Sequence, residues 1–77
     1  MKKVVIYTKE TCSYCVWAKN LLKEKGLTYT EIRIDQDESE REKMIALSGR
    51  MTVPQIFIED QSIGGYDDLC AYFKKLK

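Results

Sequence analysis

The spacing of apolar residues changes along the chain, and each change predicts a different secondary structure element. Residues 4–7, VVIY, form a short apolar run rich in β-branched side chains, which is typical of a buried strand. From Cys15 onward the apolar residues recur at helical spacing, and Gly26 stands where a glycine commonly ends a helix. Residues 27–35, LTYTEIRID, alternate between apolar and polar side chains and predict a second strand.

The middle of the chain predicts a second helix. Residues 35–49, DQDESEREKMIALSG, begin with acidic side chains, which favour a helix N-terminus, and they end on Gly49. Asp37 and Glu40 have the spacing of a capping box, in which two side chains bond the first free N–H groups of a helix. The helix is therefore expected to begin close to Asp37.

The last third of the chain predicts a hairpin followed by a helix. Residues 55–59 predict a strand, residues 60–61 a tight turn and residues 62–63 a short returning strand. A Gly-Gly pair follows, and the last helix is expected to begin at Asp67 or at a neighbour. Its apolar residues recur at helical spacing, namely Leu69, Tyr72, Phe73 and Leu76.

These elements follow the order β-α-β-α-β-β-α, which predicts an α/β fold. Strands that alternate with helices pair in parallel, so the first two strands are expected to be parallel, whereas the hairpin adds antiparallel strands. We therefore predict a four-stranded mixed sheet flanked by three helices. At 77 residues, the chain is expected to form one domain that covers residues 1–77.

Composition and charge disfavour several classes of protein. The chain carries 13 basic and 12 acidic residues, whereas a general binder of nucleic acid or anionic membranes needs a basic excess. No apolar run approaches the ~20 residues of a membrane helix, and the short run after the N-terminal lysines is too brief for a secretory signal. We therefore expect a cytoplasmic protein that binds neither nucleic acid nor membrane, in a compartment that keeps thiols reduced.

Two cysteines, Cys12 and Cys15, stand two residues apart at the predicted junction of the first strand and the first helix. Free N–H groups and the helix dipole stabilise negative charge at such a helix start, and only the thiolate form of cysteine is nucleophilic. Lys9, three residues before Cys12, adds a nearby positive charge. Cys12 is therefore predicted to attack, and Cys15, one turn into the helix, to resolve the intermediate.

Two other interpretations of this pair are weaker. A structural zinc site needs four Cys or His ligands, but the chain has no histidine and only Cys70 as a further cysteine, so no metal site is expected from ligand count. A structural disulfide is disfavoured in a reducing compartment.

Cys70 itself is interpreted as a small buried hydrophobic residue near Leu69 and Phe73, with an oxidation-prone thiol as the alternative.

Three segments, YTKETCSYCVWAK, TVPQIFI and GGYDDL, occur together, in this order and at suitable spacing. With them the chain resembles the glutaredoxins, in particular the small bacterial dithiol type, over essentially its whole length. The resemblance implies a thioredoxin-like fold. It also implies glutathione-dependent reduction of protein disulfides and of protein–glutathione mixed disulfides, with Cys12 and Cys15 as the redox pair.

The resemblance further implies a glutathione-binding site. In this family the bond before Pro54 is cis, and the backbone of Val53 pairs with the cysteine of glutathione. Lys9 and Arg50 match positions that bind the glycine carboxylate. The matching positions as a set are Lys9, Tyr14, Arg50, Thr52, Val53, Pro54, Gly65, Tyr66, Asp67 and Asp68.

The remaining roles concern the start of the last helix. The backbone N–H groups near Tyr66 and Asp67 match the family's site for the γ-glutamyl carboxylate, and Asp67 or Asp68 matches the partner of the ammonium group. For Asp67 the structural alternative is a helix N-cap, which is compatible with that role. Tyr14 is expected to form a wall of the pocket, and Trp17 is given no role.

Ser13 stands where many dithiol relatives carry proline. Relatives with C-S-Y-C include proteins that hold a [2Fe–2S] cluster between two subunits, with glutathione supplying further thiolates, and Cys12 would be the protein ligand. A cluster-carrying dimer is thus the alternative function, and otherwise a monomer is expected. The implied partners are glutathione and disulfide-containing or glutathionylated proteins, with ribonucleotide reductase as one candidate. A redoxin reduced by thioredoxin reductase is disfavoured by the charged positions of the pocket.

Overall fold

Residues 3–75, the part of the chain that the computed structural model describes, form four strands and three helices. In chain order the elements are β1 (Val4–Thr8), α1 (Ser13–Glu24), β2 (Thr30–Arg33), α2 (Glu38–Ser48), β3 (Gln55–Ile58), β4 (Gln61–Gly64) and α3 (Tyr66–Lys75). The predicted order is confirmed. Leu76, which was placed on the last helix, lies outside the described residues.

The strands form one mixed sheet in the order β2-β1-β3-β4. β1 is parallel to β2 and antiparallel to β3, and β3 is antiparallel to β4, so the predicted pairing is confirmed. A register shift between Ile56 and Phe57 interrupts the β3–β4 ladder. β1 is therefore central, and its C-terminal end leads directly into the loop that carries Cys12.

β2 is shorter than the alternating stretch predicted. The pairing with β1 begins at Thr30, because the preceding residues close the end of α1. Leu27 N donates to Leu22 O at 3.0 Å, which is the pattern that ends a helix on a left-handed glycine, here Gly26 with φ 74°. Leu27 and Tyr29 pack against the core without pairing, so their alternation reflects burial alone.

The two faces of the sheet bury separate apolar clusters. Alternate residues of β1 point to opposite faces, as in any strand. Ile6 packs with residues of α1 and α3 such as Leu22 and Leu69, whereas Tyr7 packs with Met44 of α2. α1 and α3 therefore cover one face of the sheet and α2 covers the other.

Asp37 is the N-cap of α2, as predicted, but its partner differs from the capping box. Its carboxylate accepts hydrogen bonds from Ser39 N at 3.0 Å and from the Ser39 hydroxyl at 2.6 Å. Glu40 N instead donates to the carbonyl oxygen of Asp37 at 3.2 Å. The side chain two residues after the cap thus satisfies the carboxylate.

None of the helices among residues 3–75 has the length and apolar character needed to cross a bilayer.

Candidate active site

Cys12 is the N-cap residue of α1. Its backbone is extended, with φ −141° and ψ 102°, and its Sγ atom accepts a hydrogen bond from Cys15 N at 3.1 Å. The free N–H groups of the first turn and the helix dipole give this end of α1 a partial positive charge. A sulfur atom at this point is therefore stabilised as a thiolate when the chain is reduced.

Cys12 and Cys15 form a disulfide bond, with their Cα atoms 5.2 Å apart. Their exposure differs, since Cys15 is 1% exposed and Cys12 is partly exposed. An incoming thiol or disulfide therefore meets Cys12 first. This arrangement suits a pair in which one sulfur attacks and the other resolves.

The loop before β3 lies against this pair. The peptide bond between Val53 and Pro54 is cis, as the resemblance implied, and Pro54 is buried. The carbonyl oxygen of Val53 lies 3.9 Å from Cys12 Sγ. The backbone of Val53 is thus beside the reactive sulfur, where an extended peptide can pair with it.

A cavity of about 200 Å³ adjoins this loop. Its lining comes from the first turn of α1, the residues before and at the start of β3, and the first turn of α3. The lining residues are Tyr14, Arg50, Thr52, Val53, Pro54, Gln55, Gly65, Tyr66, Asp67 and Asp68. All the residues predicted to bind glutathione lie around it except Lys9, which is exposed on the loop between β1 and α1.

Gln55 lines the cavity and was not predicted to be part of the site. It is 1% exposed, and its Nε2 atom donates to the carbonyl oxygen of Thr52 at 3.0 Å. Its Oε1 atom is buried and accepts no hydrogen bond from residues 3–75. Gln55 thus braces the loop that carries Val53. A polar residue directly after Pro54, in the otherwise apolar segment QIFI, is the sequence feature that identifies it.

Arg50 and Asp68 form an ion pair at the cavity, with Nη1 and Oδ2 3.0 Å apart. The same Oδ2 atom accepts a hydrogen bond from Gly65 N at 3.1 Å. The hydrogen bond from Arg50, followed by that from Gly65, lowers the pKa of Asp68. Arg50 and Asp68, which were predicted to bind opposite ends of glutathione, are therefore paired with each other in this structure.

The start of α3 corrects one prediction and explains one glycine. α3 begins at Tyr66, so Asp67 is its second residue and the N-cap alternative for Asp67 is wrong. The side chain that bonds a free N–H group there belongs to Asp68. Gly64 has φ 115°, and a Cβ atom at Gly64 would lie 2.8 Å from Asp68 Cγ. The close approach of Asp68 to the backbone therefore requires glycine at position 64.

Three aromatic rings meet beside the cavity. Tyr14 and Trp17 are in edge contact with ring centroids 4.9 Å apart, and Tyr66 lies 5.8 Å from Trp17 and 6.2 Å from Tyr14. Tyr14 and Tyr66 line the cavity, whereas Trp17 does not. No role was predicted for Trp17, although its spacing of three residues from Tyr14 places both on one side of α1.

Cys70 is partly exposed on α3, so the prediction that it is buried is only partly right. It adjoins a cavity of about 190 Å³ whose lining includes Lys25 and Lys74. A hydrogen bond with the Cys70 thiol is the main cause that raises the pKa of Tyr66. The groove between α1 and α3, rather than the core, is thus the environment of this cysteine.

The loop that carries Cys12 is attached to the end of β2. Glu10 N donates to Asp35 Oδ2 at 3.1 Å, and Arg33 pairs with the same carboxylate at 2.7 Å. The hydrogen bonds from Arg33 are the main cause that lowers the pKa of Asp35 from 3.8 to about 2. This ionised carboxylate therefore fixes the backbone two residues before Cys12.

Comparison with known proteins identifies the family. The family model described as Glutaredoxin matches residues 4–63. Glutaredoxin 3 of Escherichia coli strain K12 is 59% identical over 71 residues, which cover 92% of this chain and 86% of that protein. The chain belongs to the glutaredoxin family. Together with the Cys12–Cys15 pair, this membership makes the glutaredoxin a thiol–disulfide oxidoreductase.

Solved structures of glutaredoxins have the same fold. Glutaredoxin 1 from Francisella tularensis, complexed with cacodylate, has a TM-score of 0.83 at 36% identity and covers 99% of this chain and 96% of its own. A buckwheat glutaredoxin–glutathione complex has a TM-score of 0.86 at 28% identity over 96% of this chain and 70% of its own. The fold of this glutaredoxin is therefore thioredoxin-like, as the resemblance implied.

Proposed function

We propose that this glutaredoxin reduces protein–glutathione mixed disulfides and protein disulfides, with glutathione as the reductant. The observation that carries the proposal is the position of Cys12. Its sulfur is partly exposed, caps α1 and lies 3.9 Å from the carbonyl oxygen of Val53, a residue that lines the cavity. A tripeptide that pairs with Val53 would bring its own sulfur to Cys12.

For a mixed disulfide the reaction has two exchanges. The Cys12 thiolate attacks the glutathionyl sulfur, the protein thiolate leaves and takes up a proton, and glutathione remains on Cys12. A second glutathione, as its thiolate, attacks that glutathionyl sulfur. Glutathione disulfide leaves, and the Cys12 thiolate is restored. The net change converts one protein–glutathione mixed disulfide and one glutathione into one protein thiol and one glutathione disulfide.

For a protein disulfide the second cysteine is needed. Cys12 forms a mixed disulfide with the target, and Cys15 attacks Cys12 to release the reduced target, which leaves the oxidised pair described above. Two glutathione molecules then reduce that pair. A reduction potential of about −200 to −230 mV, typical of the family, lies near that of the glutathione pool, so the exchange is reversible.

The cavity suits the charges of glutathione, which carries two carboxylates and one ammonium group. The N–H groups of Arg50 that do not bond Asp68 and the N–H groups at the start of α3 are proposed to bind carboxylates, and Lys9 is proposed to join them from its loop. Asp67 is exposed and is the better partner for the ammonium group, since Asp68 is already bonded to Arg50 and Gly65. The buckwheat relative, which is described as a glutathione complex, supports the same ligand here.

A cytoplasmic location and protein targets such as ribonucleotide reductase belong to this proposal, because turnover needs a compartment rich in reduced glutathione. The monomer is the proposed active state. The alternative function, a dimer that carries a [2Fe–2S] cluster, rests on the resemblance of the C-S-Y-C segment alone and is not favoured.

The test is glutathione-dependent turnover of a small mixed disulfide, measured for the wild-type protein and for Cys12→Ser. The wild type is expected to turn over many times, and Cys12→Ser to lose activity to the background rate. Cys70→Ser is the matched control, since it removes the third cysteine and is expected to retain activity. Equal activity of Cys12→Ser and wild type would show that Cys12 is not the nucleophile.

A further inference from the structure

Tyr14, Trp17 and Tyr66 form a continuous aromatic surface beside the cavity, here termed the aromatic wall. Tyr14 is 54% exposed and Trp17 is 49% exposed, although each ring contacts the other two. Trp17 meets both tyrosine rings edge to face, and Tyr66 also packs against the core. The wall is therefore preorganised and still offers apolar area to solvent.

Such a surface is suited to binding protein. Tyrosine and tryptophan give a large contact area for few rotatable bonds, and they are enriched among the residues that dominate binding energy. Two of the rings, Tyr14 and Tyr66, line the cavity, while Trp17 extends the surface away from it. A molecule held in the cavity through glutathione therefore has the wall as its next contact.

The size of the wall indicates the kind of partner. Aromatic side chains bury about 150–250 Å² each when fully covered, so two half-exposed rings and the less exposed ring of Tyr66 offer roughly 250 Å². A stable protein interface needs about 800 Å² from each partner. The wall alone is thus too small for a dimer of this chain, and it fits one or two side chains of a short peptide segment.

We propose that the aromatic wall binds the polypeptide next to the modified cysteine of a glutathionylated protein, and that it favours targets with a large apolar or aromatic side chain near that cysteine. Trp17 follows Cys12 by five residues, which is about 7.5 Å along a helix. An extended peptide covers about 3.3 Å per residue, so the contacting side chain is two or three residues from the target cysteine. This inference rests on the proposed function.

The experiment compares two synthetic peptides that carry one glutathionylated cysteine. They are identical except for phenylalanine or serine at the positions two and three residues away on both sides. The wild-type protein is expected to show a kcat/KM about five- to tenfold higher for the phenylalanine peptide, the usual strength of one good aromatic contact. Trp17→Ser is expected to reduce this preference to less than twofold, whereas Trp17→Phe retains most of it.

Leu47→Ser is the matched control. Leu47 is 57% exposed on α2, which covers the opposite face of the sheet, so its variant loses a similar apolar area and is expected to keep the full preference. Equal kcat/KM for the two peptides with wild type would overturn this inference and leave the proposed function intact. No glutathione-dependent turnover of either peptide would overturn both. A wild-type dimer that Trp17→Ser abolishes would identify a second copy as the occupant and overturn the inference.

Discussion

Arg50 and Asp68, which are 18 residues apart in the chain, are joined by an ion pair of 3.0 Å at the cavity beside Cys12. Their side chains are about half exposed, at 54% and 47%. Solvent screening makes such a pair worth at most about 1 kcal/mol of stability. Its main effect is therefore to hold the Arg50 guanidinium next to the cavity.

The first prediction concerns the replacement of the Asp68 carboxylate by an amide. Asp68→Asn keeps the shape and an oxygen acceptor for Gly65 N but removes the charge that holds Arg50. We expect KM for glutathione to rise about three- to tenfold, with little change in kcat and a loss of stability below about 1 kcal/mol. Steady-state kinetics and chemical denaturation measure the two effects.

Asp60→Asn is the control for this prediction. Asp60 is an exposed carboxylate that also pairs with a lysine, Lys3, at 4.0 Å, but it lies in the turn between β3 and β4. The Asp60→Asn variant is expected to leave KM for glutathione unchanged. The same KM in Asp68→Asn and Asp60→Asn would contradict a role for the Arg50–Asp68 pair in binding.

The second prediction concerns Gly64. Gly64→Ala places a Cβ atom where Asp68 approaches, at a φ of 115° that alanine rarely adopts. We expect a loss of about 2–4 kcal/mol of unfolding free energy and weaker binding of glutathione. Gly49→Ala is the control, because Gly49 has φ 74° with no atom within 4 Å of the added Cβ, and it should cost only about 1 kcal/mol. Similar losses in both variants would refute the steric argument.

The third prediction is a pH dependence of stability. Asp35, Asp68, Asp37 and Glu31 all have a pKa below the ordinary value, and that of Asp35 is about 2. A carboxyl group whose pKa is lower in the folded protein binds protons more readily when unfolded. Its contribution to stability is therefore present above about pH 4 and is lost as the pH falls toward 2.

Asp35→Asn tests this pH dependence. The variant is expected to lose stability at pH 7 and to show a smaller further loss between pH 4 and pH 2 than the wild type, as measured by denaturation at each pH. It also weakens the hydrogen bond from Glu10 N, because an amide oxygen is a poorer acceptor than a carboxylate, and so loosens the backbone before Cys12, which we expect to lower kcat/KM severalfold. A pH profile identical to that of the wild type would exclude Asp35 as a source of the acid sensitivity.

The fourth prediction separates the roles of the two redox cysteines. Cys15→Ser is expected to retain reduction of glutathione mixed disulfides, which needs only Cys12, and to lose reduction of protein disulfides. Because Cys15 is 1% exposed, a buried hydroxyl costs stability, and Cys15→Ala serves as a second variant that avoids this cost. Loss of both activities in both variants would show that the roles are assigned wrongly.

Most of the fold could be predicted from the sequence because its pattern follows burial closely. Cys15, Ala18 and Leu22 recur at helical spacing, and all three are buried on the inner face of α1. The predicted extent of β2 was wrong because some residues are buried in the core without pairing with a neighbouring strand. Leu27 and Tyr29 alternate like strand residues, but they pack against the core after the end of α1 and do not join the ladder.

The site could be predicted as a set of residues but not as a set of contacts. The helix-start signals placed Cys12 at the start of α1 because they depend on local chain geometry, whereas the position of Val53 beside it, 41 residues along the chain, was implied by the resemblance. The pairing of Arg50 with Asp68 and the contact of Trp17 with Tyr66 join residues far apart in the chain. Such contacts depend on how α3 packs against α1 and against the loop between α2 and β3, which no local pattern specifies.

The hydrogen bond from Cys15 N to Cys12 Sγ links the redox state of the cysteine pair to the stability of the first turn of α1. An anionic sulfur accepts a hydrogen bond more strongly than a neutral one, so the first turn of α1 is held more firmly when the pair is reduced and ionised. Thermodynamic linkage is reciprocal. Whatever free energy the turn gains on reduction also favours the dithiol state, so any residue change that frays this turn would make the protein a weaker oxidant and a stronger reductant.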